Sequence, residues 1–232
     1  MAVFANRGPA MRLVVKICGL KSEAMLDAAI DAGADMVGLV HFARSPRNLE
    51  LARIGGLVAH AAGRAETCVL MVDPEPELLV AVAALGADWL QLHGSESAGA
   101  TEAARAISGL KVMKALPVGG PADLEAIGHY ATVADRLLLD ARPPEDAGRP
   151  GGLGRVFDWS LLNAIDRAVP FMLAGGLTPD NVGDAIRQVR PFGVDVSSGV
   201  ESAPGEKDAG KIRAFVAAAR AAEGAEYEAS EA

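Results

Sequence analysis

The chain alternates short apolar runs with longer stretches of helical periodicity from one end to the other. Eight of the apolar runs are predicted as β-strands. They cover residues 13–17, 36–40, 67–72, 89–92, 111–115, 136–139, 171–173 and 193–196. The stretches between them predict helices, such as residues 181–189 and 22–32. In the second of these helices, Ser22 suits the N-cap and Gly33 suits the left-handed position that ends the helix.

Two segments of the chain resemble each other. Residues 31–40 (DAGADMVGLV) and 84–93 (ALGADWLQLH) both run from a helix end through Gly and Ala-Asp into a strand. Repeated units with such short connections imply parallel strands joined by right-handed crossovers. Eight units close most naturally into a single (β/α)8 TIM barrel with a parallel eight-stranded core, an α/β fold that typically has about 250 residues. A doubly wound open sheet is the alternative.

The domain organisation is predicted to be simple, because no Ser- or Pro-rich linker divides the repeated units. We expect one barrel domain over residues 12–222, a flexible N-terminal extension over 1–11 and a flexible acidic tail over 223–232. The Pro- and Gly-rich residues 142–159 are too many for an ordinary connection. They are predicted to form a mobile lid, with a disordered insertion as the alternative.

Composition and charge exclude several classes of protein. The 232 residues are 50% apolar, enough for a sizeable core, but no apolar run approaches the roughly 20 residues of a membrane span. The first ten residues lack the pattern of a secretory signal, and two cysteines are too few for a disulfide framework, so we expect a cytoplasmic protein. The formal charge of −8 argues against partners such as nucleic acid or anionic membranes. A monomer or a homodimer is expected.

The ends of the last two strands predict an anion site. In a barrel of this kind, reactive residues lie at the carboxyl ends of the strands, and the loops after strands 7 and 8 commonly hold phosphate. Gly175 and Gly176 follow the seventh strand, while Ser198 and Gly199 follow the eighth. Glycines leave backbone N–H groups open to a close-lying anion. Each pair alone could be a tight turn, but together they favour a phosphate site.

A thiol and a carboxyl group lie at two other strand ends. Cys18 ends the first strand, and Lys16 shares its face, so the ammonium would favour the thiolate. Asp140 ends the sixth strand, where burial would favour a protonated carboxylic acid. Together they could form an acid/base pair that moves a proton at carbon. A packing role is the alternative for Cys18 and is preferred for Cys68, and an N-cap or ion-pair role is the alternative for Asp140.

Three further polar residues lie at predicted strand ends or in the loops that follow. Arg47, in the loop after the second strand, could bind a ligand carboxylate or could simply be solvated. His93 ends the fourth strand and either titrates near neutral pH or fills the barrel mouth. Asp195 lies in the eighth strand, which neighbours the first in a closed barrel, so it could pair with Lys16.

These residues fall in motifs that resemble the phosphoribosylanthranilate isomerase family of tryptophan biosynthesis. The motifs are KICGL, SPR, QLHG, LLLD with FDWSLL, LAGGL followed by P and N, and VDVSSGVE. They occur in the order and spacing of that family over residues 14–215. The resemblance implies a (β/α)8 enzyme that needs neither cofactor nor metal. Its reaction is the Amadori rearrangement of N-(5-phosphoribosyl)anthranilate to 1-(2-carboxyphenylamino)-1-deoxyribulose 5-phosphate.

The resemblance also implies a role for each matching residue. Cys18 would be the general base, Asp140 the general acid and Arg47 the group that holds the anthranilate carboxylate. The phosphate would bind to the loops that carry Gly175, Gly176, Ser198 and Gly199. Asp195, His93 and Lys16 would support the site. The chain departs from the family around SPR, where aromatic residues more often come before the motif and an aromatic residue or histidine more often follows it.

Other functions are compatible with a phosphate-binding barrel. A pentose-phosphate epimerase would need a metal cluster of His and Asp at the strand ends, which a chain with four histidines does not display. The related isomerase of histidine biosynthesis is expected to have an aspartate where this chain has Cys18. A non-catalytic binding protein would have no need of both Cys18 and Asp140.

Overall fold

The computed structural model describes residues 12–142, 158–166 and 169–231. Eight parallel strands pair in sequential order, and β1 also pairs with β8, so the sheet closes into a barrel. The predicted fold is confirmed. The strands are β1 Val14–Cys18, β2 Met36–Val40, β3 Glu66–Met71, β4 Trp89–Leu92, β5 Lys111–Val118, β6 Arg136–Ala141, β7 Phe171–Leu173 and β8 Gly193–Val196.

The strands agree with the predicted ones to within a residue or two, except at the end of β5. This strand continues through Pro117 to Val118 and pairs with β6 up to Ala141. Proline is disfavoured within strands, so the apolar pattern does not extend the prediction across it. The longer pairing brings Asp140 into register with Pro117, inside the sheet rather than beyond it.

The α-helices are α1 Glu23–Asp31, α2 Leu51–Ala61, α3 Pro76–Ala83, α4 Ala98–Ser108, α5 Ile127–Tyr130, α6 Val182–Val189 and α7 Ala209–Glu231. Helices α1 to α5 follow β1 to β5 in turn, α6 follows β7 and α7 follows β8, while the described residues between β6 and β7 include a short 3-10 helix, Trp159–Ala164. The predicted cap of α1 is confirmed, because Ser22 accepts the N–H of Met25 and Gly33 has a φ of +97°. A short hairpin, β9 Glu201–Ala203 with β10 Glu206–Lys207, follows β8.

An aspartate directly before each of β2, β4 and β6 fixes the strand register at the bottom of the barrel. Each of these carboxylates accepts a backbone N–H from the preceding strand at 2.8 Å. The pairs are Asp35 with Val15, Asp88 with Thr67 and Asp135 with Val112. The repeated Ala-Asp joint recognised in the sequence therefore has a structural function, since it satisfies strand N–H groups that have no partner in the sheet.

The barrel interior changes from apolar to polar along its axis. Its lower part is a separate apolar cluster that includes Met36, Cys68, Trp89, Met113, Leu138 and Met172. Cys68 is fully buried there, as expected of a packing residue. Alternate residues of each strand face the same side. The next inward positions are therefore Lys16 two residues before Cys18, Gln91 two residues after Trp89, and Asp140 two residues after Leu138. All are buried, so the site begins directly above the apolar layer.

Several predicted segments lie partly or wholly outside the described residues. The N-terminal extension, residues 1–11, and most of the predicted lid, 143–157, are among them. Helix α7 runs through residues 223–231, for which the composition predicts a flexible tail, and that flexibility stays a prediction. No helix in the described part of the chain is both long and apolar enough to cross a membrane.

Candidate active site

Cys18 and Asp140 both lie inside the barrel at its carboxyl end. Cys18 is the last residue of β1 and is 3% exposed, while Asp140 is next to last in β6 and is 7% exposed. A β-carbon at Gly38 of β2 would lie 2.8 Å from the Cys18 sulfur and 3.0 Å from its Cα. Glycine at this position therefore leaves the space that the thiol occupies. The two candidate proton-transfer groups project from strands three positions apart around the barrel.

Burial dominates the electrostatics of the thiol. It raises the pKa of Cys18 above the ordinary value, and the nearby Asp195 carboxylate raises it further. The Lys16 and Lys207 ammonium groups act in the opposite direction, but they do not offset the burial. Lys16 thus favours the thiolate, as the sequence predicts, while the net displacement of the pKa is upward. Cys68, deeper in the barrel, has its pKa raised by burial to about 12.

Lys16 is held by two buried partners. Its ammonium donates to Asp195 Oδ1 at 2.7 Å and to Gln91 Oε1 at 2.9 Å. The predicted Lys16–Asp195 pair is therefore confirmed. Burial alone would lower the pKa of Lys16, but the Asp195 carboxylate and the neighbouring thiols raise it, so the group stays charged inside the barrel.

The polar contacts continue from Gln91 to the carboxyl group of Asp140. Gln91 Nε2 lies 3.1 Å from His93 Nδ1, and His93 Nε2 lies 3.3 Å from Asp140 Oδ2. Gln91 is fully buried, and the side chain of His93 is 14% exposed. A continuous series of polar contacts therefore joins the lysine beside the thiol to the candidate acid.

Arg47 belongs to a second buried cluster. Its Nε and Nη2 donate to the two carboxylate oxygens of Glu201 at 2.6 and 2.8 Å, and Lys207 donates to Glu201 Oε1 at 2.8 Å. Burial would raise the pKa of Glu201, but Arg47 and Lys207 lower it to about 2. Arg47 is thus neither solvated nor wholly free for a ligand. Its Nη1 and the second hydrogen of Nη2 are the donors that Glu201 leaves over.

Arg47 also lies close to the backbone that follows Cys18. Gly19 has a φ of +81°, and a β-carbon there would lie 2.4 Å from Arg47 Cδ. Gly19, the glycine of KICGL, therefore lets the aliphatic part of the Arg47 side chain pass directly over the end of β1. This contact places the cluster of Arg47 and Glu201 beside the thiol.

The glycine loops after β7 and β8 lie side by side. Gly175 and Gly176 have φ values of +88° and +65°, and a β-carbon at Gly175 would lie 2.4 Å from the Ala141 nitrogen. A β-carbon at Gly199 would lie 1.9 Å from the Leu177 oxygen, so the second loop packs directly on the first. The glycines are required for this packing as well as for any access by an anion.

Helix α6 begins within one residue of its predicted start. Its first residue is Val182, where the sequence predicts a helix over residues 181–189. The Asn181 side chain accepts the N–H of Thr178 at 2.8 Å and donates to the Gly176 oxygen at 3.0 Å. Asn181 thus satisfies backbone groups of the loop directly before the helix begins.

Residues 15–218 match the family model described as N-(5'phosphoribosyl)anthranilate (PRA) isomerase. The chain belongs to this family. An N-(5'-phosphoribosyl)anthranilate isomerase from Afipia carboxidovorans is 55% identical over 213 residues, which are 91% of this chain and 91% of the relative. One from Nitrobacter winogradskyi is 56% identical over 214 residues, which are 92% of this chain and 95% of the relative.

Solved structures of the family share the fold. A phosphoribosyl anthranilate isomerase from Thermotoga maritima has a TM-score of 0.80 and 36% identity, over 90% of this chain and all of that one. Another structure shows an enzyme of this name in complex with reduced 1-(o-carboxyphenylamino)-1-deoxyribulose 5-phosphate. Its TM-score is 0.78 and its identity 34%, over 90% of this chain and all of that one. The predicted resemblance is confirmed, and the chain is an isomerase of tryptophan biosynthesis.

The residues predicted from the sequence divide into three groups in the structure. Cys18, Lys16, Asp195, His93 and Asp140 line the barrel interior in one connected set. Arg47 belongs to the ion-pair cluster above β1, and the four loop residues form the paired turns after β7 and β8.

Four residues that shape these groups were not recognised from the sequence: Gln91, Glu201, Lys207 and Gly38. Two of them had a usable signal. Gln91 lies two residues before His93 on the same strand face, and Glu201 ends the motif VDVSSGVE. Lys207 and Gly38 had none, because their importance follows from neighbours on other elements.

The described part of the chain contains no group of three or more His, Cys, Asp or Glu side chains arranged to hold a metal ion.

Proposed function

We propose that the chain carries out the Amadori rearrangement of its family with Asp140 as general acid and Cys18 as general base. The substrate is N-(5-phosphoribosyl)anthranilate, and the product is 1-(2-carboxyphenylamino)-1-deoxyribulose 5-phosphate. The observation that supports these roles best is the placement of the Cys18 thiol and the Asp140 carboxyl group. Both are buried and lie at the carboxyl ends of barrel strands. Such a pair can give a proton to oxygen and remove one from carbon.

The proposed reaction begins at the furanose ring. Asp140 protonates the ring oxygen while the anilino nitrogen donates its lone pair to C1′, so the bond between C1′ and the ring oxygen breaks and a protonated Schiff base forms. The Cys18 thiolate then removes the C2′ proton, and the electron pair neutralises the nitrogen to give an enolamine. Gain of a proton at C1′ and loss of one from the C2′ hydroxyl give the ketone. The net reaction is an isomerisation.

The substrate's two anionic ends would occupy the two remaining groups of residues. Arg47 would bind the anthranilate carboxylate through the donors that Glu201 leaves over, since a guanidinium can serve two carboxylates at once. The paired turns with Gly175, Gly176, Ser198 and Gly199 would bind the phosphate through backbone N–H groups.

Several expectations about surroundings stay predictions. The cytoplasmic location, the lack of nucleic-acid partners and the choice between monomer and homodimer are among them. One solved relative, from Thermotoga maritima, is described as dimeric.

The roles are tested by following the loss of anthranilate-type fluorescence as purified protein consumes the substrate. Cys18→Ala and Asp140→Asn should each lower kcat by about 10² to 10⁴-fold, the usual contribution of a general acid or base. Cys68→Ala is the matched control, because it removes the other buried thiol from the apolar layer below the site. Near-normal turnover of Cys18→Ala or Asp140→Asn would remove that residue from its role.

A further inference from the structure

Gln91 connects the two halves of the site, and no role for it follows from the reaction itself. It is fully buried in β4, with Lys16 at one end of its amide and His93 at the other. The contact to Lys16 is 2.9 Å and the contact to His93 Nδ1 is 3.1 Å. An amide has an oxygen that accepts and an NH₂ that donates. When both groups have partners, the amide fixes which partner donates and which accepts.

The chemistry of Lys16 determines how the amide is oriented. An ammonium group has three donors and no acceptor, so the atom that faces Lys16 must be the carbonyl oxygen of Gln91. The amide NH₂ then faces His93 Nδ1, which has to accept. A neutral imidazole that accepts at Nδ1 carries its proton on Nε2. The buried lysine thus selects the tautomer of the histidine through the glutamine.

The tautomer in turn distinguishes the two oxygens of Asp140. His93 Nε2 lies 3.3 Å from Oδ2, so its N–H is within reach of that oxygen. When Oδ2 accepts from His93, the acidic proton of Asp140 resides on Oδ1. We propose that Gln91 is a positioning residue that sets the Nε2–H tautomer of His93 and thereby places the transferable proton of Asp140 on Oδ1.

This arrangement would serve both states of the acid. Before transfer, it keeps the proton of Asp140 from being donated to His93 instead of to the substrate. After transfer, the N–H of His93 donates to the new carboxylate, and hydrogen bonds to an ionised group are the stronger kind. The opposite tautomer would place a ring lone pair against Oδ2 and lose both effects. The catalytic part of this inference rests on the proposed role of Asp140, whereas the tautomer does not.

The first test is the tautomer of His93 in the resting protein. Histidine labelled with ¹⁵N gives distinct signals for the protonated and bare ring nitrogens, and the His93→Gln spectrum identifies which of the four histidines is His93. We expect the Nε2–H form in the unaltered chain. In Gln91→Glu, a carboxylate oxygen takes the place of the amide NH₂. This oxygen can only accept a hydrogen bond, so His93 should change to the Nδ1–H form. An Nδ1–H ring in the unaltered chain, or an unchanged ring in Gln91→Glu, would overturn the proposal.

The second test is kinetic and uses Gln91→Met, which keeps the side-chain length but removes both hydrogen bonds. We expect kcat to fall by about 10- to 100-fold, the effect of losing a group that orients a functional histidine. KM should change little, and the limb of the pH profile that reports ionisation of Cys18 should keep its midpoint. Thr101→Val is the control, because it removes a hydrogen bond from another fully buried polar residue, away from the site.

The outcomes separate this inference from the proposed function. Unchanged turnover in Gln91→Met would overturn the positioning role while leaving Cys18 and Asp140 in place. Near-normal turnover in Asp140→Asn would overturn the proposed acid, but the tautomer of His93 would still report whether Gln91 controls the ring.

Discussion

Replacing Glu201 by glutamine would test how the site holds Arg47. Glu201 accepts two hydrogen bonds from the guanidinium and one from Lys207, and the side chains of both Arg47 and Glu201 are about 5% exposed. Glutamine keeps the shape of the side chain but removes its charge. The variant therefore leaves two buried cations without their shared anion.

The magnitude follows from the pKa of the carboxyl group. Arg47 and Lys207 hold the pKa of Glu201 at about 2, against 4.5 for an ordinary glutamate. At 1.36 kcal/mol per pKa unit, this difference corresponds to about 3 kcal/mol of stability at neutral pH. Removing one partner of a buried ion pair typically costs about 3 to 5 kcal/mol, which agrees. For a chain of this size, about 3 kcal/mol lowers Tm by roughly 6 to 12 °C.

The sign of the pH dependence gives a second, independent criterion. Because the pKa is depressed in the folded chain, the stabilisation is fully present above about pH 4.5 and is lost as the pH falls toward 2. The free energy of unfolding of Glu201→Gln should therefore differ most from that of the unaltered chain near pH 7. The difference should shrink below about pH 4.

The assay is urea unfolding followed by circular dichroism at pH 7 and at about pH 3.5. The control is Glu206→Gln, which removes a glutamate of the same hairpin whose ion pair with Lys21 is exposed and should contribute little. A loss below about 1 kcal/mol at pH 7, or an equal loss at both pH values, would refute the reasoning. Because Glu201 orients Arg47, we also expect KM to rise in Glu201→Gln.

Two further changes test the surroundings of the thiol. Lys16→Met removes the main group that lowers the pKa of Cys18, so that pKa, measured from the pH dependence of thiol alkylation, should rise; a pKa that stays in place or falls would contradict this. Gly38→Ala would place a methyl group 2.8 Å from the Cys18 sulfur and should lower kcat by about 10-fold or more, since misplacing a reacting group by about 1 Å can cost 10²-fold. Gly56→Ala, in α2 with open space around it, is its control, and equal turnover of both variants would show that the thiol tolerates the displacement.

Much of the fold was predictable because its information is local. The apolar pattern located all eight strands, since a parallel strand covered on both faces is a continuous apolar run. The period of two along each strand placed Lys16 and Cys18 on one face, and the Ala-Asp joint signalled the repeated unit. The end of β5 was not predictable, because pairing with β6 extends β5 past Pro117.

The candidate site was predictable only as a set of separate residues. Cys18, Asp140 and the glycine loops were recognised because each lies at a strand end, where a barrel places its chemistry. The sequence suggested one contact among them, Lys16 with Asp195, since closure makes β1 and β8 neighbours. The polarity of the interior above the apolar layer could be read from alternate strand positions, but its hydrogen bonds could not.

The sequence by itself determined the eight strands, the face on which each side chain lies and the membership of the family. Only the tertiary structure decided that Gln91 connects Lys16 to His93 and Asp140, that Glu201 occupies the fork of Arg47, 154 residues away, and that burial raises the pKa of Cys18. The reason is physical. A local pattern encodes backbone geometry and facing, whereas hydrogen-bond direction and pKa depend on groups that meet only when the barrel closes.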